Sequence, residues 1–207
     1  MQNANPFHTP EEMRAISNLA HVIEGAVLGA AACLALLHGS GLFRRDWIRY
    51  AWPTLVVVAG VFLMGYLLIP HHGLDTATTQ WRYIFADAQQ RQHVMISLLI
   101  LLGGLSELIA VRGTRGLAWR LGWPVTLAAV GMLLVLHPQH GTSAAMVRAT
   151  MQHRLIGTAL LAAGALAAVS ALRPSRVLGA LSPLALVAAA IMLVAYREPV
   201  GAFHAHP

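Results

Sequence analysis

Long apolar runs broken by short polar segments dominate the chain. Six runs approach the roughly 20 mostly apolar residues that carry a helix across about 30 Å of hydrocarbon: Ile16 to Leu37, Ala51 to Ile69, His93 to Val111, Leu117 to Leu136, Leu155 to Leu172 and Leu178 to Tyr196. The pattern predicts an all-α fold, a polytopic membrane bundle of about six transmembrane helices. Composition supports it: 11% of the residues are charged and 57% hydrophobic, whereas a soluble domain carries about 25% charged residues. So few charges cannot cover a water-facing surface, and membrane lipid is the expected solvent.

Charge sets the expected orientation. All 14 basic residues are arginines. Arg44, Arg45, Arg49, Arg112, Arg115, Arg120, Arg173 and Arg176 fall in or beside alternate breaks between the spans. The positive-inside rule places these breaks in the cytoplasm, with Arg120 snorkelling from a helix end. Both termini are then periplasmic, for a bacterial inner membrane. Arg82, Arg91, Arg148 and Arg154 lie on the outer side. The basic residues form no continuous block, so no nucleic-acid partner is expected. The single cysteine, Cys33, excludes an internal disulfide and a thiolate zinc site. The first fifteen residues lack the basic start of a cleavable signal, and the first span reads as retained. Thr9-Pro10-Glu11-Glu12 forms a capping-box sequence, and Thr142-Ser143 offers a similar start, so two helices are expected to project beyond the lipid.

The apolar runs repeat in pairs. A histidine opens each odd span (His21, His93, His153), and a proline follows at nearly constant distance in the next (Pro53, Pro124, Pro183). Each even span ends at another proline: Pro70, Pro138 and Pro199. A small residue stands four positions after each opening histidine: Gly25, Ser97 and Gly157. Such spacing predicts three repeated helical hairpins within one transmembrane domain spanning 1–207, with units of approximately 10–73, 82–141 and 142–201. The third unit departs from the pattern, with Arg197-Glu198-Pro199 where the others carry histidines.

The candidate chemistry is imidazole. Of the 11 histidines, only His38 falls on the predicted inner side. The expected metal set is His21, Glu24, His71, His72, His93, His137, His140 and His153. Neutral imidazole binds copper, zinc, iron and nickel. His21 with Glu24, and His137 with His140, have the i,i+3 spacing that shares one helix face. A carboxylate such as Glu24 within an apolar span marks a functional candidate. Met146 and Met151, near His153, tilt the choice toward copper, since thioether favours Cu(I); zinc and iron are alternatives. His8, His204 and His206 lie in the terminal segments. Trp81, Tyr83 and Phe85, in the long outer connection Leu74 to Arg91, read as an interfacial anchor or as a lid over the histidines.

These residues suggest metal binding, delivery or transport, with a periplasmic metal carrier or other membrane subunits as partners. A second reading is a b-type cytochrome with histidine-ligated haem b. Others are a metal-dependent membrane oxidoreductase or hydrolase, and an accessory subunit of a larger complex. The chain has no HExxH, nucleophile elbow or glycine-rich phosphate loop, so no catalytic residue is assigned.

Overall fold

The computed structural model describes residues 7–41, 45–70, 73–113, 116–139 and 141–203. Its helices are α1 (Pro10–Gly39), α2 (Ile48–Leu68), α3 (Ala77–Ala86), α4 (Ala88–Val111), α5 (Leu117–Val135), α6 (Ser143–Leu172) and α7 (Arg176–Ala195). All but α3 are long and apolar enough to cross a membrane. The bundle's outside bears large apolar side chains, among them Leu102, Val125, Leu155 and Ile191, as a lipid-facing surface requires. Six alternating spans bring the start of α1 and the end of α7 to one face, called here the terminal face.

α1 and α6 have 30 residues each. At 1.5 Å per residue they reach about 45 Å, well beyond the ~30 Å hydrocarbon core. The expected caps start them. The Glu12 N–H donates to Thr9 Oγ1 at 3.3 Å, and the Thr9 N–H donates to Glu12 Oε2 at 2.8 Å. Thr142 Oγ1 accepts from the Ala145 N–H.

Pro53, Pro124 and Pro183 lie inside α2, α5 and α7, past the first turn where proline costs nothing. α2 and α7 begin upstream of their apolar runs, which moves their prolines deeper. Glycines face two of them. A Cβ on Gly104 would come within 3.1 Å of the Pro53 carbonyl, and one on Gly164 within 3.0 Å of the Pro124 carbonyl.

Around the bundle the helices follow the order α1, α2, α4, α5, α6, α7 and back to α1. Glycines seat three of these contacts. A Cβ on Gly25 of α1 would stand 2.8 Å from the Val194 nitrogen, one on Gly60 of α2 would stand 2.7 Å from Leu101 Cα, and one on Gly157 of α6 would stand 2.6 Å from the Gly131 carbonyl. Two of the small residues that follow the opening histidines therefore let neighbouring backbones close up. The third, Ser97, is buried and donates to the His93 carbonyl at 2.8 Å. The ring order does not test the threefold repeat, which stays a reading of the sequence. Trp52 and Trp123 meet edge-on in the core, centroids 5.6 Å apart, beside Val56, Leu127 and Leu160.

The connection after α2 is more ordered than its composition suggests. A 3₁₀ turn, Leu74–Thr76, leads into α3. Gln80 Nε2 donates to the Ile69 carbonyl at 3.1 Å and Trp81 Nε1 to the Leu68 carbonyl at 2.8 Å. These bonds satisfy acceptors at the end of α2 that no further helical turn could reach. Arg91 does the same for α3, donating to the Phe85 and Ala86 carbonyls. Trp81 and Phe85 are exposed, while Gln80, Tyr83 and Ile84 line an interior cavity. At the opposite face, Arg120 donates to the Ala171 carbonyl at the end of α6.

Beyond α7 the chain folds back over the terminal face. Gly141 and Ala202 form an antiparallel bridge, and the Thr142 N–H donates to the Gly201 carbonyl at 3.0 Å. The backbone at Gly141 and Gly201 has φ of 129° and 90°, a region that favours glycine.

Candidate functional site

Four predicted ligands gather at the terminal face: His21 from α1, His93 from α4, His153 from α6, and His137 just past α5. Their rings touch in sequence. The centroids of His21 and His153 lie 5.8 Å apart, those of His153 and His137 4.6 Å, and those of His137 and His93 4.9 Å. His21, His137 and His153 are buried. His71, His72 and His140 lie outside the described residues.

Each imidazole is held the same way. His21 Nδ1 is 2.7 Å from the Ser17 carbonyl, His93 Nδ1 is 2.8 Å from the Gln89 carbonyl, and His153 Nδ1 is 2.9 Å from the Ala149 carbonyl. In every case the acceptor is the residue four positions earlier in the same helix. A carbonyl can only accept, so Nδ1 carries the proton and Nε2 the lone pair. The Gln139 amide also lies 3.2 Å from His153 Nδ1.

His137 reaches the same state by another route. Gln92 Nε2 donates to the Leu133 carbonyl at 2.6 Å, which turns Gln92 Oε1 toward His137 Nδ1. That oxygen can only accept, so Nδ1 again donates. Gln92 is a residue of the cluster that sequence reasoning missed. As the neighbour of His93 it points to another side of α4, and no spacing rule suggests that it reaches α5.

A tyrosine and a carboxyl complete the cluster. Tyr196, 1% exposed, stacks on His21 with centroids 4.1 Å apart and meets His153 edge-on at 5.1 Å. Its hydroxyl donates to Glu198 Oε2 at 2.8 Å, as does the Ser17 hydroxyl. The Glu198 N–H donates to Asn18 Oδ1 at 2.7 Å. Burial, and then the charge and hydrogen bond of Glu198, hold the Tyr196 hydroxyl well above the usual phenol range. The sequence had flagged residues 197–199 only as a departure from the repeat. A carboxyl just past a span was the available signal.

Glu24, one turn along from His21, lines a cavity of about 570 Å³ beside the rings. His93 lines the same cavity. Met151 is exposed on the outside of α6, away from a shared ligand position. Among the described residues, no group of three or more His, Cys, Asp or Glu side chains is set to hold a metal ion. The rings form a contiguous cluster with one tautomer, in which Nδ1 carries the proton. No protein-family model matches the chain, and no curated protein or solved structure is significantly similar to it.

Proposed function

We propose that the protein binds a transition metal, copper by preference, through the imidazoles of His21, His93, His137 and His153. The observation that carries this reading is the shared tautomer. Metal-binding histidines almost always donate the other ring N–H to a carbonyl or similar acceptor, which fixes the ring and raises its basicity. Here four imidazoles from four parts of the chain do so side by side. Neighbouring rings have centroids 4.6 to 5.8 Å apart. His72 and His140 are further candidate ligands on the sequence pattern, and Glu24 and His71 are candidates for direct or supporting roles. The arginine distribution favours an extracytoplasmic terminal face in a bacterial inner membrane. A metal held there suits binding, delivery or transport, with a periplasmic carrier or another membrane subunit as partner.

Elemental analysis and an absorption spectrum of the purified protein test the proposal. Stoichiometric copper, lost in a folded variant carrying alanine at His21, His93 and His153, is the expected result. Unchanged metal content in that variant overturns it. A Soret band would replace it with the haem b reading, in which the same Nε2 atoms serve as axial ligands.

A further inference from the structure

The interior cavity supports a second ligand, independent of the metal reading. It lies inside the ring of helices and has two kinds of wall. Deep in the bundle it is bounded by apolar groups such as Ala31, Val56, Trp123 and Leu127. Toward the terminal face it is bounded by Glu24, Gln89, His93 and Ser97. Its volume of about 570 Å³ falls within the usual range for small-molecule sites, roughly 300–1,000 Å³.

One side opens toward lipid. α1 meets α2 less closely than the other neighbours in the ring meet. Ile23 of α1, and Val58 and Phe62 of α2, line the cavity and are also exposed on the bundle's outside. This seam is the side on which the cavity lies nearest the lipid-facing surface.

At the polar end the nearby hydroxyl protons are already committed, and one buried acceptor is left over. Ser17 spends its hydroxyl proton on Glu198, Ser97 on the His93 carbonyl, and Thr126 on carbonyls of its own helix. Gln89 Oε1 is buried without a hydrogen-bond partner. Leaving such a group unpaired costs about 1–3 kcal/mol. Glu24 adds a carboxyl. A matching ligand has an apolar body and brings O–H donors to this end.

We propose that the cavity binds one lipid-soluble hydroquinone or phenol, which enters between α1 and α2 and donates its hydroxyl hydrogens at the terminal face. The hydroxylated ring sits near Glu24, Gln89 and His93, and the apolar tail leads back through the seam into the bilayer. The oxidised quinone has no O–H to bring to Gln89 Oε1.

The test uses the full-length protein in detergent micelles, with metal removed by a chelator. Binding of decylubiquinol is compared with that of its oxidised form and of undecylbenzene, which has a similar tail and no hydroxyl. The expected result is one saturable decylubiquinol site, at least about tenfold tighter than either comparison compound, as loss of hydrogen bonds worth about 1.4 kcal/mol implies. Gln89→Leu and Glu24→Met should each reduce that preference, and Ala59→Phe, which fills the cavity wall, should abolish binding while the protein keeps its elution profile. The proposal is overturned if the wild type does not bind decylubiquinol, if undecylbenzene binds equally well, or if the cavity proves to hold haem. Since every measurement is on metal-free protein, failure of the copper reading leaves the outcome untouched.

Discussion

The ring of Tyr196 lies flat on the imidazole of His21, with centroids 4.1 Å apart and planes inclined by 22°. This contact joins the end of the last span to the start of the first. The Glu198 carboxyl strengthens the join by accepting from both Tyr196 and Ser17. Tyr196→Phe keeps the stack and removes one donor from a buried carboxyl. It should destabilise the protein by about 1–3 kcal/mol, measured by thermal or denaturant unfolding in detergent.

The same tyrosine predicts a pH dependence. Its hydroxyl ionises at higher pH in the folded protein, because of burial and the neighbouring Glu198. An unfolded tyrosine ionises near about pH 10. The native state therefore holds a proton that the unfolded state gives up above that pH. The stabilisation is full below about pH 10 and is lost as pH rises toward the folded value. Between pH 8 and 11 the melting temperature of the wild type should fall more steeply than that of Tyr196→Phe. Parallel slopes would contradict the assignment.

Two glycines separate close packing from open space. A Cβ on Gly157 would meet the Gly131 carbonyl at 2.6 Å and the Val135 nitrogen at 2.9 Å. Both are backbone atoms that cannot turn aside. Gly157→Ala should push α5 and α6 apart and cost about 1–3 kcal/mol, as overpacking does. A Cβ on Gly29 would meet only the Ala190 methyl, at 3.5 Å. Gly29→Ala should be neutral, or stabilising by up to about 1 kcal/mol from helix propensity. Comparing the two unfolding midpoints checks the prediction.

Gln92 offers a test of how His137 is held. Gln92→Leu keeps the approximate volume and removes the acceptor that fixes the Nδ1 proton. If His137 is a ligand, copper affinity should fall about 10- to 100-fold, the usual effect of losing a supporting bond. Competition with a chelator of known strength measures it. Acidification should also release the metal, because protons compete for the same Nε2 lone pairs.

The capping box at Thr9 makes a local prediction. Thr9→Ala removes the acceptor of the Glu12 N–H. It should cost about 1 kcal/mol and speed hydrogen exchange over the first turns of α1, leaving His93 and His153 unaffected.

What was legible in the sequence follows from the kind of force involved. Burying apolar length in lipid needs only a run of about 20 suitable residues, so the six spans could be read directly. Helix ends were less clear. α4 begins at Ala88, upstream of the run that opens at His93, because Asp87 caps it by accepting from the Gln90 N–H at 2.9 Å. α3 was not legible as a helix, since it leans on the carbonyls of α2 through Gln80 and Trp81. At the site, His21, His93 and His153 were found because each opens a span. Gln92 and Tyr196 were missed because their roles depend on which helices become neighbours, and local spacing carries no trace of that.

The closing contact between α1 and α7 bears on how the chain is made. Gly25 finds its seat against Val194 and Ala190, near the end of the seventh helix. Until translation passes those residues, the first span has α2 on one side and an open seam on the other. Biogenesis thus has a built-in order, in which the earliest helix is the last to be locked. A nascent chain arrested before Arg176 should expose the α1 edge at Gly25 to a crosslinking reagent that Val194 and Ala190 exclude in the finished protein.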